Sequence, residues 1–152
     1  MNQQYSTIVK EIIEELESRN PLPPLSPTEE WSSRLTARLE NYSLGDLFDG
    51  FAVTDPEFGE CAKSGLLLWN DALDSSHKIV QNIGTKTGNY WHAIMHRREN
   101  DYSNAKYWFG RVGKHPIYFD LGMQDCEVRS CCGCTMLDGG GGIQRACSCS
   151  DF

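Results

Sequence analysis

Apolar residues recur along the chain at helical spacing. Residues 5 to 16 place Tyr5, Ile8, Val9, Ile12, Ile13 and Leu16 on one stripe with an acidic outer face, which predicts an amphipathic helix. The stretch NPLPPLSP then stops it, because proline cannot continue a helix and restricts the residue before it. Ser26-Pro27-Thr28-Glu29 reads as the next start, with a serine cap, an early proline and a glutamate three residues after the cap. Trp31, Leu35 and Leu39 supply that helix's buried stripe, and SLGDLFDG is a short helical turn or a loop. Asp55-Pro56-Glu57 opens a third helix that extends to Ile83, with Phe58, Cys61, Leu68, Trp69, Ala72, Leu73, Ile79, Val80 and Ile83 inward. Gly65 inside it marks either close packing or a break.

The glycines of GTKTG, residues 84 to 88, predict a loop. A fourth helix follows over about 89 to 99, with Trp91, Ile94 and Met95 inward. Ser103 caps a fifth, with Trp108, Phe109 and Val112 inward and Gly113 as its stop. A short segment starts at His115-Pro116 and ends near Leu121. No alternating pattern of strand length stands out. The expectation is an all-α fold, an irregular bundle of about five helices over residues 1 to 121, followed by a flexible Cys/Gly-rich tail over 122 to 152.

Charge narrows the function classes. The chain of 152 residues carries a formal net charge of -7, so no basic face for a nucleic-acid partner is expected. No apolar run approaches the length of a membrane span, and the acidic start lacks the features of a secretory signal. A cytoplasmic location follows as the default expectation, with no membrane partner.

Three of the four histidines lie between residues 89 and 116. His92 and His96 are four apart and share a helix face, and Glu99 is three further on. Asp74 and His77 share a face of the preceding helix. An antiparallel hairpin about residue 86 sets position 77 opposite position 95. His77 and Asp74 then meet His92, His96 and Glu99, a donor set suited to zinc, iron or manganese. The spacing lacks the glutamate of the zinc-protease signature, and histidines at this spacing more often serve structure. Arg97, Arg98, Asn104 and Lys106 crowd the same region and suggest a polar pocket for an anionic small molecule, or a solvated helix face. The leading functional expectation is a non-catalytic helical binding module with a polar and aromatic pocket around residues 89 to 109, taking a small molecule or a protein. The alternative is a metal-dependent helical enzyme or metal-binding protein.

The stretch WHAIMHRRENDYSNAKYWFGRVG resembles a family of uncharacterised proteins with the pattern W-H-x-I-M-H-R-R-E-x-D-x-S-N-A-K-Y-W-F-x-R-V-G. The resemblance covers about residues 50 to 118. It implies that His92, His96, Arg97, Arg98, Glu99, Ser103, Asn104 and Lys106 belong to a shared pattern, and it implies no activity.

Six of the seven cysteines fall between Cys126 and Cys149, around four consecutive glycines. Cys131, Cys134, Cys147 and Cys149 can hold a zinc ion as four thiolates, although the second pair is tighter than usual. CTMLDGGGGIQRACSC also looks like the core of a mersacidin-type lantibiotic precursor, with Thr135, Ser148 and Ser150 as the residues to dehydrate. The blandest reading is a divergent end without a selected function. The family that the chain resembles continues differently after the His-Pro pair, which agrees with that. Cys61, alone in a helical pattern, reads as a small buried hydrophobe.

Overall fold

The computed structural model describes residues 6–49 and 53–128. Among these residues the chain is all-α, with eight helices and no strand. None of the helices is long and apolar enough to cross a membrane. The count exceeds five because one expected helix is two, because SLGDLFDG contains a short helix, and because the segment after His115-Pro116 is a full helix.

Helix α1 (Thr7–Glu17) starts where the Ser6 hydroxyl accepts from Val9 N at 3.1 Å. Helix α2 (Ser33–Asn41) starts seven residues after the expected cap. Ser26 instead donates to Asn100 Oδ1 at 2.7 Å, and Ser32 caps α2 by accepting from Leu35 N. Trp31 therefore precedes the helix, with its ring under the Arg19 guanidinium at 5.4 Å. Helix α3 (Leu44–Leu47) is a single turn held by a Ser43/Asp46 capping box.

Helix α4 (Pro56–Trp69) has the expected Asp55 cap and an early proline. It does not run to Ile83. Asn70 caps its end, and Asp71 takes the left-handed φ of 62° before helix α5 (Leu73–Val80) begins. Both side chains are committed at this break. Asn70 donates from Nδ2 to Ser32 O and Thr36 Oγ1, each at 2.9 Å, and Asp71 is buried against two arginines. Those bonds explain why an apolar stripe that reads as continuous bends here. Phe58 in the first turn of α4 and Trp69 in its last are exposed rather than inward.

Helix α6 (Lys86–Arg98) starts inside the expected loop, with Thr85 accepting from Gly88 N at 3.2 Å. Gly88 lies so close to Ile83 that a Cβ would sit 2.5 Å from its carbonyl oxygen. A glycine that reads as a loop signal is a packing contact. Gly65 is another, since a Cβ there would meet the Trp91 ring at 2.9 Å. Helix α6 ends in a Schellman turn. Asp101 N donates to His96 O at 3.0 Å, Asn100 N to Arg97 O at 3.3 Å, and Asn100 supplies the left-handed residue with φ 65°. Helix α7 (Tyr102–Val112) is capped by Asp101 rather than Ser103, and stops at Gly113, whose φ of 59° with ψ of -137° suits only glycine. Helix α8 (Ile117–Val128) belongs to a separate unit that begins at Pro116, and it passes the boundary expected near residue 121.

The apolar core joins Val9, Ile12 and Leu16 of α1, Leu35 and Leu39 of α2, Leu47 of α3, Leu67 of α4 and Ala72. Helix α6 packs against α4, α5 and α7, and it is there that the polar residues gather.

Candidate metal centre

Two reversals of direction build the site. The turn after α5 folds α6 back along it, and the Schellman turn at Asn100 folds α7 back along α6. The first sets His77 against His92 and His96. The second sets position 108 beside position 92, each eight residues from the turn.

The three imidazoles converge. Ring centroids are 4.8 Å apart for His77 and His92, 4.9 Å for His92 and His96, and 5.2 Å for His77 and His96. One ring nitrogen from each can be chosen so that all three lie within 4.8 Å of one another. Tetrahedral zinc-nitrogen bonds of about 2.0–2.1 Å set ligand nitrogens roughly 3.4 Å apart. Side-chain rotations that draw the rings in by about 1 Å would close the set around an ion.

Burial differs among the three. His92 is 3% exposed and His96 8%, whereas His77 is half-buried. Neither ring nitrogen of His92 has a hydrogen-bond partner. That is unusual, since buried polar atoms are normally paired and an orphan costs about 1–3 kcal/mol. Burial, reinforced by the neighbouring His77 and His96, pushes the His92 pKa down to about 4. At neutral pH His92 is an uncharged imidazole, the form a metal ligand needs. The Trp108 ring covers it, with centroids 3.9 Å apart and planes 20° from parallel.

His96 has a partner. Its Nδ1 lies 3.1 Å from Glu99 Oε2. With Nδ1 carrying the proton, Nε2 is left as the basic nitrogen, the arrangement by which carboxylates orient metal-binding histidines. Glu99 thus meets the cluster through a histidine rather than as one of the converging donors. Asp74 is exposed on α5 and stands outside the three-histidine group.

The other expected site residues are dispersed. Arg98 is built into the fold: it donates to Asp71, to Leu68 O and to Pro24 O, the last at 3.1 Å. Arg19 grips the other oxygen of Asp71 at 2.5 Å. One buried carboxylate therefore holds two guanidinium groups at the α4–α5 break, a role with no anion left to recruit. Asn104 is spent on the α7 cap, donating to Asp101 Oδ2 at 2.7 Å. Arg97 and Lys106 are exposed. A cleft of about 480 Å³ is lined by Glu29, Glu30, Asp71, Asp74, Lys78 and Glu99 among others, and by none of the three histidines. Of the stretch 89 to 109, only Glu99 reaches it.

Cys61 is buried, and burial together with Glu57, Asp55 and Glu60 pushes its thiol up to about 11. It is a packing residue and a poor nucleophile at neutral pH. Ser76, beside His77, pairs with Ser64 at 2.7 Å in the interior. Cys131, Cys134, Cys147 and Cys149, with the zinc and lantibiotic readings that rest on them, lie outside the described residues.

Two contributors escape reading by spacing: Trp108 and Asp71. Trp108 is legible only once the Asn100 turn is fixed, and Asp71 looks like one more polar position on a long helix. No family model, curated protein or solved structure matches this chain.

Proposed function

We propose that the protein binds a divalent transition metal through His77, His92 and His96. The observation that carries this reading is the buried, uncharged, unpartnered imidazole of His92 within reach of two others. Folding tolerates such an orphan where something offsets its cost, and a metal ion bound at its nitrogen does so. Three imidazoles without a converging carboxylate suit zinc or iron better than manganese, which prefers oxygen donors. Glu99 holds His96 in register, and Trp108 keeps water from the face of His92.

Elemental analysis of protein purified without a metal-affinity tag tests this. The expected result is about one metal per chain. The full-length His92→Ala/His96→Ala variant is expected to carry none. A chain that stays metal-free after dialysis against buffered zinc and against ferrous iron under anaerobic conditions would sink the proposal. The helical binding module then becomes the leading reading, with the acidic cleft rather than the 89–109 stretch as its ligand site.

A further inference from the structure

We infer that the metal centre keeps a fourth coordination position open toward the acidic cleft, and that this position takes a neutral nitrogen or oxygen donor from solution. The inference rests on the three-histidine reading above and concerns what that centre does once loaded.

Zinc-like ions require a fourth ligand. Structural sites obtain it from the protein, and catalytic sites leave it to water or substrate. Among the described residues, the group that converges here contains three donors and no fourth histidine, cysteine or carboxylate. Glu99, the nearest acidic partner, is engaged with His96 Nδ1.

The direction of access follows from burial. His92 lies under Trp108, and His96 is nearly as enclosed. His77 is the half-buried member of the three. Its neighbours on α5, Asp74 and Lys78, line the cleft, and so does Glu99, which holds His96. None of the three histidines lines the cleft itself, but His77 lies on α5 between the lining residues Asp74 and Lys78 and is the least buried of the trio, so this edge is the one toward which the open position is inferred to face. The cleft's volume falls in the range of small-molecule sites, roughly 300–1,000 Å³.

Charge selects the class of ligand. Five carboxylates, from Glu29, Glu30, Asp71, Asp74 and Glu99, face one ammonium, from Lys78. Asp71 is neutralised by its two arginines, and the other four set a negative potential over the approach. Anions are disfavoured there. Neutral imidazole-type nitrogens, alcohols and water pass, and they carry the lone pair that the metal needs.

Cobalt(II) loaded into the full-length protein reports the fourth position, because its visible spectrum follows the number and kind of its ligands. Imidazole, a neutral nitrogen donor, and azide, an anion, are the probes. Imidazole is expected to shift the spectrum saturably while cobalt stays at one per chain after desalting. Azide is expected to bind more weakly by about tenfold or more. Asp74→Trp fills the approach at an exposed position and is expected to weaken imidazole binding by about tenfold with cobalt content unchanged. A loaded protein whose spectrum responds to neither probe has a closed centre, and the inference fails. An intense near-ultraviolet thiolate band would place a sulfur atom from elsewhere in the chain in the fourth position, and the inference fails there too. Unchanged imidazole affinity in Asp74→Trp overturns the route, and azide binding as tightly as imidazole overturns the ligand class. A chain that takes up no cobalt overturns both readings, and differs visibly from one that is loaded but silent.

Discussion

The protein has two interiors, and they are built on opposite rules. Between α1, α2, α3 and α4 the core is aliphatic: Ile12, Leu35, Leu39 and Leu67 are fully buried and carry no polar side-chain atom. Between α5, α6 and α7 the interior holds imidazole, with His92 left unpaired. The first region lowers the free energy of folding with every contact. The second gives part of that up. The contrast singles out position 92, where a leucine would be the cheaper choice for folding.

Substitutions test this contrast, and the largest effect belongs to the aliphatic side. Leu39→Ala removes the branched end of a side chain that has no exposure and leaves a cavity in its place. It is expected to cost about 2–5 kcal/mol in denaturant unfolding, with metal content per folded chain unchanged. If metal is lost in step, the two interiors are not separable in function.

Acid acts on the other side. In metal-free protein the His92 pKa of about 4 lies below the value of about 6.5 expected when unfolded, so the unfolded chain binds the extra proton. The stabilising contribution of this histidine's neutral state is present above pH 6.5 and is lost as pH falls through about 4. A loss of about 3 kcal/mol is expected over that window, measured by urea midpoints at successive pH values. His92→Leu should flatten the profile there, and an unaltered slope would assign the acid sensitivity to other groups.

Gly65→Ala tests the junction between the interiors. The added methyl meets the Trp91 ring at 2.9 Å, and overpacking of this kind is expected to cost about 1–2 kcal/mol. Thermal unfolding that does not change would mean that Trp91 simply moves aside. The smallest effect has the opposite sign. His92→Leu in metal-free protein is expected to raise stability by about 1 kcal/mol at pH 7, because it removes two orphaned nitrogens from the interior. A destabilisation of that size would show that the imidazole has a partner worth keeping.

Much of this architecture is legible in the sequence, for reasons that also mark the limits. Ile12, Leu35 and Leu39 announce themselves because local periodicity dictates which face is buried. The approach of His77 to His92 and His96 follows from spacing plus one loop, and the geometry brings those rings together. Asp74 does not join them: it lies one turn before His77 on the exposed side of a short helix. Arg98 reads as an anion-binding residue because its partner, Asp71, is 27 positions away on what looks like an unbroken helix. Side chains that hold one segment to another leave no periodic trace. For the same reason the starts of α2 and α7 are misplaced by local capping rules. Ser26 is drawn to Asn100, and Asp101 reaches Asn104 N before Ser103 can act as the cap.

The fork of Arg98 has one more consequence. A single side chain reaches the carbonyl of Pro24 between α1 and α2, the carbonyl of Leu68 at the end of α4, and the carboxylate of Asp71 before α5. It does so from the last turn of the helix that carries His92 and His96. The two interiors are thus fastened together at a point where neither supplies the bond. Amide protons of α1 and α6 are expected to exchange with solvent through the same global opening, so that the aliphatic layer and the histidine layer live and die as one cooperative unit.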